Sequence, residues 1–112
     1  MIHNNIKADN IVIDNNGVVK LTGLRSLANL SRNGEYCKSV FSLVGDNIEW
    51  AAPEVMSQSA NYNEKCDIYS LGIAAIELSF NQTPFDGWEP LKVHFFSFRF
   101  YCANKNMSVL PL

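Results

Sequence analysis

A chain of 112 residues that is 47% hydrophobic is long enough for one core without disulfide or metal staples, and too apolar for wholesale disorder. Nine Lys and Arg against eleven Asp and Glu leave a net charge of −2, which excludes a polybasic surface for nucleic-acid backbones. Cys37, Cys66 and Cys102 are scattered without CxxC spacing, a pattern of a reducing compartment rather than a disulfide framework.

The first residues lack the basic flank and apolar stretch of a signal peptide. The longest apolar runs are broken by Glu77, or by His94 and Arg99, and fall short of the roughly 20 residues of a membrane helix. The expectation is a soluble intracellular chain, cytoplasmic or also nuclear. Ile11-Val12-Ile13 and Val18-Val19-Lys20-Leu21 are β-branched runs around Asp14-Asn15-Asn16-Gly17, whose Asn-Gly pair tolerates the positive φ of a tight turn. This predicts a β-hairpin. Residues 22–50 show no sustained period and read as a long loop, a length that is usually functional or disordered.

Residues 51–58 suit a short helix with Pro53 in its first turn. From 64 to 80, Ile68, Leu71, Ala75 and Leu78 recur at three- and four-residue steps, which predicts a helix capped by Asn63 and stopped by Asn81 and Pro84. Ile73, Ala74 and Ile76 fill its other faces, so this helix is expected to be largely buried. Beyond Trp88, Phe95, Phe96, Phe98, Phe100 and Tyr101 crowd together. Alternation of Phe96, Phe98 and Phe100 with Ser97 and Arg99 has the spacing of a strand.

Four short stretches carry a resemblance. His3-Asn4-Asn5-Ile6-Lys7-Ala8-Asp9-Asn10 before the hairpin and Leu21-Thr22-Gly23-Leu24-Arg25 after it resemble the protein-kinase catalytic loop, HRDLKxxN, and the DFG metal motif. Trp50-Ala51-Ala52-Pro53-Glu54 resembles the end of an activation segment, and Asp67-Ile68-Tyr69-Ser70-Leu71-Gly72 the start of the central helix of the large lobe. Their common order and compatible separations make the set specific where each alone is weak. The fold implied is α+β and mainly helical. It is a partial kinase-like large lobe over residues 1–91, from catalytic loop to buried central helix, followed by a non-family aromatic tail over 92–112.

Kinase chemistry needs one carboxylate to take the proton of the substrate hydroxyl and a second to hold magnesium on the phosphates. The resemblance places Asn5 at the first position, an amide that cannot act as a base, and Gly23 at the second, with no ligand atom. Lys7 and Asn10 are retained, Arg25 replaces the glycine of the metal motif, and Asp14 lies at the far end of the hairpin. No catalytic residue and no metal ligand are therefore expected. His3, Pro53, Glu54, Asp67 and Gly72 are given structural roles by the resemblance: His3 packs, and Asp67 accepts backbone hydrogen bonds from the catalytic loop. The arginine that pairs with Glu54 late in a kinase domain has no counterpart, so Glu54 is expected to be solvated or unpaired.

Ile6-Lys7-Ala8, Leu21-Thr22-Gly23-Leu24-Arg25-Ser26, Trp50 with Pro53-Glu54, and Asp67 through Ile73 are most similar to the Sterile-20-related kinase adaptor (STRAD) pseudokinases, the Gly-Leu-Arg being the most discriminating. That resemblance implies an inactive kinase fold that holds a partner kinase, of the liver kinase B type, in its active conformation, with an armadillo-like scaffold completing the complex. The chain ends Val109-Leu110-Pro111-Leu112, unlike the Trp-Glu-Phe through which the adaptors engage the scaffold. The family's Gly-rich loop, strand lysine and glutamate have no match here, so no cofactor is expected, although full-length members bind ATP. Tyr36, Phe41 and Trp50 are the amphipathic residues expected to touch a partner, with burial of Trp50 against the central helix an equal alternative. Two other readings stay open: a fragment of an active Sterile-20-like serine/threonine kinase, and a truncated product without stable function.

Overall fold

Asp14 turns the chain back on itself. Its Oδ1 accepts the N–H groups of Asn16 and Val18 at 2.8 and 3.0 Å, and Gly17 takes a left-handed φ of +81°. The strands that result are β1 (Ile11–Ile13) and β2 (Val19–Leu21), antiparallel, with Ile11 opposite Leu21, Val12 opposite Lys20 and Ile13 opposite Val19. A two-stranded ribbon is marginal by itself. This one is tied at its base, where the carbonyl of Asn10 accepts both the N–H and the hydroxyl of Thr22 at 2.7 and 3.2 Å. Single 3-10 turns, Ala8–Asn10 and Leu24–Ser26, flank it.

The computed structural model describes residues 1–27, 48–57 and 62–104. Beyond the hairpin they form three helices, α1 (Pro53–Ser57), α2 (Lys65–Phe80) and α3 (Pro90–Asn104). Proline opens α1 and α3, where its missing N–H breaks no helical bond. Asn63, expected as the cap of α2, lies one residue ahead of its N-cap Glu64, and its Oδ1 accepts the Lys65 N–H at 3.0 Å. Asn81 closes that helix with a left-handed φ of +60°, a conformation asparagine tolerates better than other side chains.

Two apolar clusters hold these elements. Ile2, Ala52, Tyr62 and Cys66 form one, flanked by Val55. Met56, Ile73, Phe85 and Val93 form the other, flanked by Ile48, Trp50 and Ala51. Tyr69 of α2 touches both, so α2 joins the clusters, while α1 and α3 pack on each other.

Two expectations are corrected. Residues 96–100 are helical rather than a strand: they lie in α3, where Val93 and Ser97, four residues apart, are buried on one face. In α2 the buried residues are Cys66, Ser70, Ile73 and Ala74. The helix expected to be largely buried instead leaves Ile68 68% and Leu78 62% exposed among the described residues, with Leu71 also exposed. A helix apolar on every side carries no stripe by which its sequence selects a face.

Candidate functional site

His3, Asn4 and Asn5 come to the start of α2 through Asp67. Its Oδ2 accepts the His3 N–H at 2.7 Å and its Oδ1 the Asn4 N–H at 3.0 Å, so both carboxylate oxygens serve the loop backbone. Asn4 sits at a left-handed φ of +66° to present both groups. The His3 ring is buried and spans the site: Nδ1 accepts the Asn5 N–H at 3.1 Å, which leaves Nε2 to donate to Thr22 O at 2.9 Å. With both ring nitrogens engaged, His3 joins the loop to the end of β2.

The amides follow. Asn10 Nδ2 donates to Asn5 O at 2.7 Å, and Asn5 Nδ2 reaches Gly23 O at 3.4 Å. Gly23 takes a left-handed φ of +76°, and Arg25 lies exposed in the next turn. Magnesium takes oxygen ligands, preferably carboxylates. Gly23 has no side-chain oxygen, Asn5 carries no charge, and the Asn10 carboxamide fills the space beside Gly23. These residues do not fit a magnesium ion. Among the described residues no group of three or more His, Cys, Asp or Glu side chains is placed to hold a metal.

Lys7 turns the other way, with Nζ 5.4 Å from the centre of the Trp50 ring, within cation–π range. Trp50 Nε1 donates to Glu77 Oε2 at 2.9 Å, and the same oxygen accepts the Ala8 N–H at 3.1 Å. Ser70 Oγ donates to Trp50 O at 2.7 Å, and Thr83 Oγ1 donates to Glu49 Oε1. The segment around residue 50 is thus fastened to α2 and to the loop after it. Trp50 is half-buried in this joint, against the central helix. Tyr36 and Phe41 lie outside the described residues.

Glu54 is half-buried and has a partner, which corrects the expectation that it would stand unpaired or solvated. Its charge reaches Cys66 and Tyr69. Burial, helped by the charges of Asp67 and Glu54, pushes the Cys66 thiol up to about 12, so it stays protonated and unreactive at neutral pH. Burial, with Glu54 adding, also raises the Tyr69 hydroxyl. Pro53 is buried at the head of α1; Gly72 lies exposed on α2, and among the described residues a Cβ there would meet nothing within 4 Å.

Sequence reasoning missed Glu77 and the Glu49–Thr83 pair. Glu77 did leave a signal, as a lone carboxylate inside an apolar helix, which needs donors to be tolerated there. The Glu49–Thr83 pair left none, since nothing local relates residues so far apart.

Residues 1–103 match the protein kinase domain family. Over 92 residues, 82% of this chain and 9% of the relative, the sequence is 42% identical to the serine/threonine-protein kinase fray2 of Dictyostelium discoideum. It is 40% identical over 88 residues to the human STE20-related kinase adapter protein beta, covering 75% of this chain and 21% of that protein. It is also 40% identical over 92 residues to the serine/threonine-protein kinase shk2 of Schizosaccharomyces pombe, covering 82% and 15%. The chain therefore spans about a fifth or less of the length of these relatives, and its hairpin and three helices make up an incomplete kinase-like domain. With the family match running from the catalytic-loop residues into α3, this chain belongs to the protein kinase domain family.

Proposed function

We propose that this chain is part of a catalytically inactive pseudokinase adaptor, which binds a partner serine/threonine kinase and favours its active conformation. The observation that carries the reading is the pair Asn5 and Gly23: the positions of the proton acceptor and of the metal-binding carboxylate hold an amide and a glycine. Similarity to the STE20-related kinase adapter proteins supports it. So does the geometry of the remaining motif residues, since Asn10 braces Asn5 and Lys7 lies on Trp50. A site that moves no phosphate acts on a partner only through differential binding to its states.

The partner in this reading is a kinase of the liver kinase B type, with an armadillo-like scaffold as a third component. Contact is assigned to the segment that carries Tyr36 and Phe41 and ends at Trp50. The test is capture of such a kinase by the full chain. Substituting Tyr36 and Phe41 together by Ala is expected to weaken capture at least about tenfold, the loss of one modest anchor. The exposed hairpin substitution Lys20→Ala serves as the unchanged control. Equal capture by both variants would remove the segment from the interface.

The relatives fray2 and shk2, whose names give them as serine/threonine-protein kinases, favour a second reading, a piece of an active Sterile-20-like kinase. That reading needs a proton acceptor other than Asn5 and a metal ligand other than a side chain at residue 23.

A further inference from the structure

The charges of this chain are divided along its length. Residues 90–112 hold three Lys and Arg and no Asp or Glu, while residues 1–89 hold six and eleven. A basic end on an acidic chain points to a negatively charged surface or partner. The described part of that end is α3, and its two sides differ. Val93 and Ser97 are buried, whereas Leu91, Lys92, Phe95, Phe96 and Arg99 are exposed. Lys92, Phe95, Phe96 and Arg99 stand at three- and four-residue steps, which align them in one strip along the helix. Leu91, Phe95 and Phe96 are 63%, 43% and 51% exposed, and apolar side chains grouped in this way mark an interaction surface. The strip is fixed to the fold. Phe96 meets Phe85, which is buried, and Trp88, edge-on with ring centres 5.9 and 5.7 Å away, and Lys92 Nζ lies 4.5 Å from the centre of the Trp88 ring.

We propose that the outer strip of α3 is a membrane-surface site for anionic phospholipid, with Lys92 and Arg99 at the headgroups and Leu91, Phe95 and Phe96 at the acyl boundary. Phenylalanine and leucine beside Lys and Arg are the composition of helices that lie in the plane of a bilayer interface. At 15 residues α3 lies on such a surface and is too short to cross it. Its two cations supply about fivefold in affinity each near an anionic leaflet. Asp86 and Glu89, just ahead of α3, belong to the acidic remainder of the chain. The same leaflet repels that remainder, which orients the chain with α3 against the lipid. An acidic partner helix would need a groove with walls from more than one element, and this strip is the outer side of one helix. A nucleic-acid backbone, tracked by many cations, is poorly served by two. The inference concerns α3 and is independent of whether the site transfers phosphate.

Sedimentation of the full chain with lipid vesicles tests the site. Vesicles of phosphatidylcholine alone are compared with vesicles of equal parts phosphatidylcholine and phosphatidylserine. Binding at least about tenfold stronger to the phosphatidylserine vesicles is expected. Equal binding to both, or binding to neither, would overturn the site. This comparison uses the unsubstituted chain, so it decides even where a variant fails to fold. Lys92→Gln with Arg99→Gln is expected to weaken the binding at least about tenfold. Lys20→Gln with Lys65→Gln removes the same charge from the hairpin and α2, and is expected to change it less than about twofold. Equal loss in the two double variants would show attraction by net charge alone and overturn the strip. Phe95→Ser, with an unchanged circular dichroism spectrum, is expected to weaken binding at least about threefold. Undiminished binding by that variant would overturn insertion of the apolar side chains. Failure on vesicles together with retention on immobilised polyglutamate would assign the strip to an acidic protein segment and overturn the lipid site.

Discussion

Ser97 is 2% exposed on the face of α3 that meets the second apolar cluster, and its hydroxyl has no hydrogen-bond partner among the described residues. Removing a buried, unsatisfied hydroxyl releases its desolvation penalty, so Ser97→Ala is expected to stabilise the fold by about 1 kcal/mol. Urea denaturation of the two chains checks this; a loss of stability would mean that Ser97 has a partner. Asp14 shows the opposite economy of a small acid fully engaged. The N–H of Val18 first, then that of Asn16, with Lys20 3.3 Å away, holds its carboxyl below the ordinary 3.8. A lowered carboxyl contributes stability above that ordinary value and loses it as pH falls through its own, lower one. The Asn16 and Val18 amide shifts should therefore titrate with a midpoint under 3.8 and stop titrating in Asp14→Asn; a midpoint at or above 3.8 would contradict the turn.

Among the elements, the joint around Glu77 is the most exposed to a single change. One half-buried oxygen serves both the Trp50 indole and the Ala8 N–H. Glu77→Ala strands both donors and should cost about 2 kcal/mol, with a red shift of Trp50 emission measured in a Trp88→Phe background. An unchanged spectrum would show that Trp50 is held by packing alone. The helix α3 makes the second prediction. Val93 is fully buried and belongs to the cluster of Met56, Ile73 and Phe85. Ending the chain after Glu89 should therefore lower helicity by more than α3 itself and increase aggregation, as read by circular dichroism and light scattering. Unchanged helicity per remaining residue would mean that α3 contributes nothing to the core.

These elements also show what the sequence made legible and what it did not. The hairpin turn and the Asn81 stop were readable because each is decided within a few neighbouring residues. The Asp67 bonds to His3 and Asn4 span more than sixty positions and were nameable only through the motif resemblance. The α3 helix was misread because alternating phenylalanines mimic a strand, while Pro90 and the buried pair Val93 and Ser97 carry the helical period more quietly. The face of α2 could not be read at all, since its exposed Ile68 and Leu78 are as apolar as its buried Ile73. The Asn10–Gly23 contact depends on side-chain placement that no spacing rule encodes.

At the scale of the molecule, loop, hairpin, segment end and α2 are fastened together by side-chain amides and carboxylates on backbone groups. No described helix is long and apolar enough to cross a membrane, and the described surface carries exposed Ile68, Leu78 and Phe80 along α2. The chain spans about a fifth or less of the length of these relatives. In the proposed function these surfaces act by binding and the site transfers no phosphate. The most direct measurement is transfer of labelled phosphate from magnesium–ATP to a serine/threonine peptide, by the chain alone and by a partner kinase with and without the chain. No transfer above the protein-free blank is expected from the chain alone, and a raised rate is expected from the partner when the chain is added. Transfer by the chain alone that disappears in Asn10→Ala would contradict it.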